Sequence, residues 1–292
     1  AQIEGNGAAA GSAALDERFV FFKGSFGQIR VGQVESARQS MTKFAPSGNY
    51  NFGVNSPFFI FANPGNAGFF NVRTYSDGLG DEDNIKLIYY TPVFKGFRVG
   101  VSYSPEDGTN GQYGGNAGDV VGGFQNNSSV SAEWSNNFGD INLGLMAGWE
   151  GYVLERCNAA ANVQTCENSP DSQQLGISIG FGEFSIGGGW LETDQVTNTA
   201  AGSGRSREDY DIGIAWWSGS TGIGLQYGNA EVDQVDGTTD ELSIYELNAT
   251  YVLGPGIDVG AAVAKGNFDD ATAGANLDNE YTEIKIGAAL NF

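Results

Sequence analysis

The chemistry open to this chain is limited first by a missing residue type: none of its 292 residues is histidine. Hydrolysis that relies on an imidazole as general base is therefore excluded. A serine–lysine arrangement needs no imidazole, but no stretch suggests one. Cys157 and Cys166 are the only cysteines, at the ends of CNAAANVQTC between two strand-like runs. This spacing reads best as a disulfide closing a loop hairpin in an oxidising compartment. Metal binding is the alternative, although two thiols without histidine make a poor site. The Gly-rich runs GTNGQYGGNAGD and GGG at 187–189 lack the GK[ST] ending and following helix of a phosphate loop.

Charge is what remains. Asp and Glu number 35 against 14 Lys and Arg, a formal net charge of −21. Nucleic acid is excluded as a partner, because a phosphate backbone needs a basic face. Asp77, Asp81, Glu82 and Asp83 cluster in YSDGLGDED, and Glu35 stands well before them. Arg38, Lys43 and Arg73 lie between, with Arg30, Lys86 and Arg98 on the flanking runs. Such residues attract, repel and pair; they make and break no bonds. Each carboxylate can instead be read as a solvated turn residue, and each cation as a salt-bridge anchor. The loops GNFDDATAGANLDN and AEVDQVDGTTDE are acidic enough to attract Ca2+, but neither has the ligand spacing of an EF-hand. No other cofactor is expected.

The elements that position these charges are strands. In the last stretch, Thr282, Ile284, Ile286, Ala288, Leu290 and Phe292 alternate with Tyr281, Glu283, Lys285, Gly287, Ala289 and Asn291. That period of two gives one apolar face and one polar or small face. The same alternation predicts strands at 16–23, 26–34, 84–90, 96–103, 128–136, 141–149, 175–181, 184–191, 210–217, 222–228, 243–253 and 257–264. Short turns such as GS, TPVFK, NFGD, GE, SGST and GPG alternate with long polar loops. A soluble sandwich has no reason to alternate so strictly. A transmembrane antiparallel β-barrel does, with short turns on one rim and long loops on the other. Mean hydropathy is −0.24, and no run approaches a membrane helix, as expected when inward polar residues alternate with lipid-facing ones. Aromatics near strand ends, including Tyr89, Tyr90, Trp134, Trp149, Trp190, Trp216, Trp217 and Phe292, fit interface girdles. Residues 35–83 break the pattern: a short helix is expected over 36–44, ended by Pro46, then a long aromatic-rich loop that needs something apolar to pack on.

These features resemble the general diffusion porins of Gram-negative bacteria, closest in style to those of alphaproteobacteria. The resemblance is carried by DERFVFFKGSFGQIRVGQVESA, DNIKLIYYTPVFKGFRVGVSYSP, the hairpins after residue 128 and the terminal Phe292. It spans the whole chain as one barrel domain, 1–292. It implies an all-β fold, a 16-stranded barrel in the complete protein, of which about 13–14 strands are expected here. The opening residues contain no signal peptide, and the count suggests that N-terminal strands are absent. The resemblance further implies an outer-membrane homotrimer among lipid and lipopolysaccharide, passing small hydrophilic solutes and ions. Residues 35–83 then become a loop folded into the lumen, and 150–173 an external loop. Glu35, Asp77, Asp81, Glu82 and Asp83 would face Arg30, Arg38, Lys43, Arg73, Lys86 and Arg98 across the narrow point. The net charge predicts mild cation selectivity. A sugar- or phosphate-specific channel, or a secreted β-rich adhesin, are the competing expectations.

Overall fold

The computed structural model describes residues 2–6, 14–49, 52–55, 72–75, 85–106, 124–154, 170–196, 204–234, 237–271 and 278–290. Asp77, Asp81, Glu82, Asp83, Cys157, Cys166 and Phe292 lie outside the described residues. One 14-stranded antiparallel sheet holds every described strand, each paired with its neighbours in chain order. The strands are β1 (Gln2–Asn6), β2 (Ala14–Gly24), β3 (Gly27–Gln33), β4 (Ile85–Tyr90), β5 (Phe97–Glu106), β6 (Phe124–Phe138) and β7 (Ile141–Leu154). They continue as β8 (Asp171–Phe181), β9 (Phe184–Val196), β10 (Gly204–Ser218), β11 (Thr221–Asp233), β12 (Thr239–Gly254), β13 (Ile257–Asp269) and β14 (Asn279–Leu290). Among the described residues, no helix is long and apolar enough to cross a membrane.

Alternation sorts the side chains. Val99, Leu145, Ile177, Ile212, Leu247 and Ile286 point outward and stay exposed, Ile286 at 84%. Their inward neighbours are polar, glycine or buried. An exposed apolar band of this kind is what lipid contact requires. Tight turns join strands on one rim, and Gly182 and Gly219 take positive φ there, a conformation that costs a glycine little. Aromatics gather at both ends of the outer face. Trp149 donates to Asp171 and Trp190 to Glu208, each at 3.0 Å, towards the long-loop rim. Trp216 donates to Glu183 at the turn rim. Tyr90 and Trp217 depart from the expected girdle. Their parity turns them inward, where Tyr90 is buried and Trp217 Nε1 donates to Ser47 O.

Several strands outrun the sequence prediction. β6 begins at Phe124, β7 reaches Leu154, β8 starts at Asp171, and β10 starts at Gly204. The ladder continues beyond the apolar band because backbone pairing needs no apolar side chains. The expected helix over 36–44 is only α1 (Ala37–Ser40). Ser36 caps it by accepting from Gln39 N. Residues 42–47 continue neither as helix nor as strand, in keeping with Pro46, which disfavours helix in the residue before it.

Among the described residues, many of the buried apolar side chains gather in two inward clusters. Val34, Ala37 and Met41 pack with Phe19, Ile88 and Tyr90. Val54 and Val72 pack with Leu242, Ile244, Ala264 and Phe268 on β12 and β13. Both clusters join the segment after β3 to the inner wall. Burial contributes about 1.5–3 kcal/mol for a side chain the size of Met41 or Val54.

Candidate functional site

The segment after β3 crosses the concave face of the sheet. Ala37 N donates to Ser102 Oγ on β5, and Arg38 N to Ser129 Oγ on β6. The Arg38 guanidinium reaches Glu150 on β7 and Gln174 on β8, at 2.8 and 3.0 Å. Ala45 N donates to Asp211 Oδ1 on β10, and Gln226 Nε2 on β11 returns a bond to Ala45 O. Gly48 N donates to Asn248 Oδ1 on β12. Phe52 then lies under Lys285 of β14, with Nζ 5.4 Å from the ring centre. The chain turns back: Val54 N donates to Gln226, Asn55 Nδ2 to Asp211, and Thr74 Oγ1 to Asp211. A strap extended at about 3.3 Å per residue can span strands about 4.8 Å apart in this way, provided that the sheet curls around it.

The wall is shaped to receive the strap. A Cβ built on Gly176 would sit 2.4 Å from Lys43 O, and one on Gly224 would sit 2.4 Å from Gly48 N. Gly148, Gly189, Gly213 and Gly260 would likewise crowd Arg38, Lys43, Ala45 and Asn49. Several of these glycines are direct cross-strand neighbours or next to them: Gly176 pairs with Gly189, and Gly260 with Gly287. Inward glycines thus form a furrow across successive strands, and the strap's backbone lies in it.

Charged groups under and beside the strap are mostly paired. Arg38 is fully buried at 0% exposure, and its partner Glu150 also accepts from Ser36 Oγ and Asn127 Nδ2. Lys86, at 1% exposure, donates to Val34 O at 2.9 Å. These two cations hold the strap's first turn to the wall rather than facing an open surface. Arg207 forks onto Asp209 with two bonds of 2.7 Å, and Asp209 Oδ1 also accepts from Arg73 N. Lys285 pairs with Glu246 at 2.7 Å. Glu35 accepts from Tyr75 Oη, and its own N–H donates to Glu17.

Arg30, Arg98 and Lys43 are different. The Arg30 and Arg98 guanidiniums lie 5.0 and 5.2 Å from the centre of the Tyr90 ring. Arg98 pairs with Glu133 at 2.8 Å, and Lys43 reaches the same carboxylate at 3.8 Å. This partly exposed group places two cations, Arg98 and Lys43, on Glu133, with Arg30 beside Arg98 on the Tyr90 ring. Sequence reading singled out these cations but not the carboxylates that anchor the strap, Glu150, Asp209 and Asp211. The available signal was a charged residue on the inward parity of a strand, as in EDYDIG.

Comparison with known proteins agrees with this architecture. The sequence profile of the Gram-negative porin family matches residues 1–271. No curated protein sequence matches. Among solved structures, a porin refined at 1.8 Å resolution is similar with a TM-score of 0.60 and 17% identity, over 99% of this chain and 90% of that one. A loop-deletion form of OmpT, an outer membrane protein of Vibrio cholerae, is similar with a TM-score of 0.59 and 15% identity, over 96% and 81%. An anion-selective porin from Comamonas acidovorans gives 0.57 and 14%, over 97% and 79%. At these identities the structural matches speak to fold, and the profile speaks to family. The chain belongs to the Gram-negative porin family: it is a channel protein of the bacterial outer membrane, built as a transmembrane β-barrel.

Proposed function

We propose that the chain forms a water-filled pore for passive diffusion of small hydrophilic solutes and ions, narrowed by the strap. The observation that carries this reading is the strap's course across the inner wall, anchored at both ends by buried clusters. A segment so placed takes up cross-section inside the barrel, and charges near it bias which ions pass. Arg30, Lys43 and Arg98 contribute the basic side of the narrow region. Glu35, Asp77, Asp81, Glu82 and Asp83 contribute the acidic side. Residues 35–83 are the constriction loop, and the function needs no cofactor. The assembly is a homotrimer in lipid and lipopolysaccharide, with Ca2+ a minor ligand of the acidic loops. Cys157 and Cys166 form a disulfide in the loop between β7 and β8.

The net charge of −21 favours cations. A second reading, anion preference, has a specific observation behind it: Arg98 and Lys43 share one carboxylate, Glu133, and Arg30 lies on the Tyr90 ring beside Arg98, so cations outnumber the carboxylate there. The Comamonas neighbour is anion-selective. Reversal potential across a KCl gradient in a planar bilayer separates the two. A weak cation preference is expected, and an anion preference overturns that part of the proposal. Block by micromolar sugar or phosphate points instead to a substrate-specific channel.

A further inference from the structure

We infer that Asp211 is the positioning residue that sets the width of the narrow point, by clamping the outgoing and returning legs of the strap with one carboxylate. The inference rests on the reading of the strap as the constriction. Asp211 lies on the inward face of β10 and is buried. Oδ1 accepts from Ala45 N at 3.0 Å and from Gly189 N at 2.7 Å. Oδ2 accepts from Asn55 Nδ2 at 3.0 Å and from Thr74 Oγ1 at 2.5 Å. Ala45 belongs to the outgoing leg, Asn55 to the turn back, and Thr74 to the return. Three stretches that are distant along the strap therefore meet on one side chain.

The residue type fits this task. An ionised carboxylate offers about four lone-pair sites and no donor, so it can accept all four bonds. Asparagine keeps one accepting oxygen and turns an NH2 towards the remaining donors. Glu150, Asp209 and Glu246 each pair with a cation. Among the described residues Asp211 is held by neutral donors alone. Its partners are the strap and the neighbouring strand, so its bonds report on where the strap sits. The furrow supports the same point: a Cβ on Gly213, two residues along β10, would lie 3.1 Å from Ala45 Cβ. The strap thus has a glycine seat and its pin at one place.

The test reads strap position without relying on conduction. A single reporter, Ala45→Cys, is placed in the full chain carrying Cys157→Ser and Cys166→Ser. Thiol labelling of the detergent-folded protein is followed with Asp211 intact, with Asp211→Asn and with Asp211→Ala. Polymer exclusion is measured on the same proteins in bilayers. Labelling should be slow with Asp211, faster with Asp211→Asn and fastest with Asp211→Ala, and the polymer cutoff should shift upward in the same order. Adding Gly213→Cys and oxidising the pair places a covalent pin at the same site, since the 3.1 Å between the two Cβ positions has to open by only a few tenths of an ångström to reach the disulfide range of about 3.5–4.5 Å. That pin should restore the cutoff in Asp211→Ala and release it again on reduction. Should Asp211→Ala fail to fold, Asp211→Asn and the oxidised pair carry the decision. A folded Asp211 variant with slow labelling and unchanged cutoff overturns the inference, as does a changed cutoff that the disulfide cannot restore. A folded parent that never conducts refutes the constriction reading instead, while the labelling rates still decide whether Asp211 holds the strap.

Discussion

At the scale of single residues, the inner wall separates anchoring charges from charges left open to solvent. Arg38 and Glu150 are both buried and share bonds with Ser36, Asn127 and Gln174. Removing one partner strands the other in a poorly hydrated site. Arg38→Met should destabilise the folded protein by about 3–5 kcal/mol, read as a lower midpoint of thermal unfolding in micelles. Adding Glu150→Gln should recover part of the loss, and no shift in midpoint for Arg38→Met would contradict the anchoring role. Arg98 and Arg30 predict a different outcome. They stack on Tyr90 and remain partly exposed. Arg98→Gln and Arg30→Gln should leave folding nearly intact and move the reversal potential towards cations. That shift should fade in concentrated salt, where the Debye length drops to about 3 Å at 1 M. An unchanged reversal potential in dilute salt would place these side chains away from the ion path.

At the scale of elements, strands were legible, and residues 35–83 stood out as a long loop, but the course of the strap was not legible. Period-two alternation located the strands from β2 onward, because one face meets apolar surroundings and the other does not. It failed at strand ends such as Phe124–Asn127 and Gly204–Asp209, where pairing persists after the apolar signal stops. The strap's course depends on partners remote in sequence: Ala45 and Asp211 are 166 residues apart. No local pattern encodes that meeting. Glycines on inward parity were visible in the sequence, but their use as a furrow appears only once the strap lies in it. Gly224→Ala tests the furrow. Its Cβ would press on backbone, so relief needs the strap to move, and the cost should be about 1–3 kcal/mol. Gly254 has open space within 4 Å. Gly254→Ala should stay within about 0.5 kcal/mol of the parent. Equal behaviour of the two variants in thermal unfolding would remove the furrow as a cause of strap position.

At the scale of the whole molecule, one sheet does two jobs with its two faces. The outer face presents apolar side chains bounded by aromatics. The inner face presents glycine, paired charge and hydroxyls, and carries the strap. The absence of histidine excluded imidazole catalysis, the net charge argued against a nucleic-acid partner, and the loop rhythm pointed to a barrel. The sign of selectivity was harder to read, because it depends on the few charges nearest the narrow point rather than on their sum. The most direct test of the account is single-channel conductance of the full chain in planar bilayers, with neutral polymers of increasing size, repeated for Gly176→Val. A strap seated against the wall predicts open steps with a sharp size cutoff, and a higher cutoff when the bulky side chain lifts Lys43 from its seat. A folded Gly176→Val protein with the parent's conductance and cutoff would contradict the strap as the element that sets the pore.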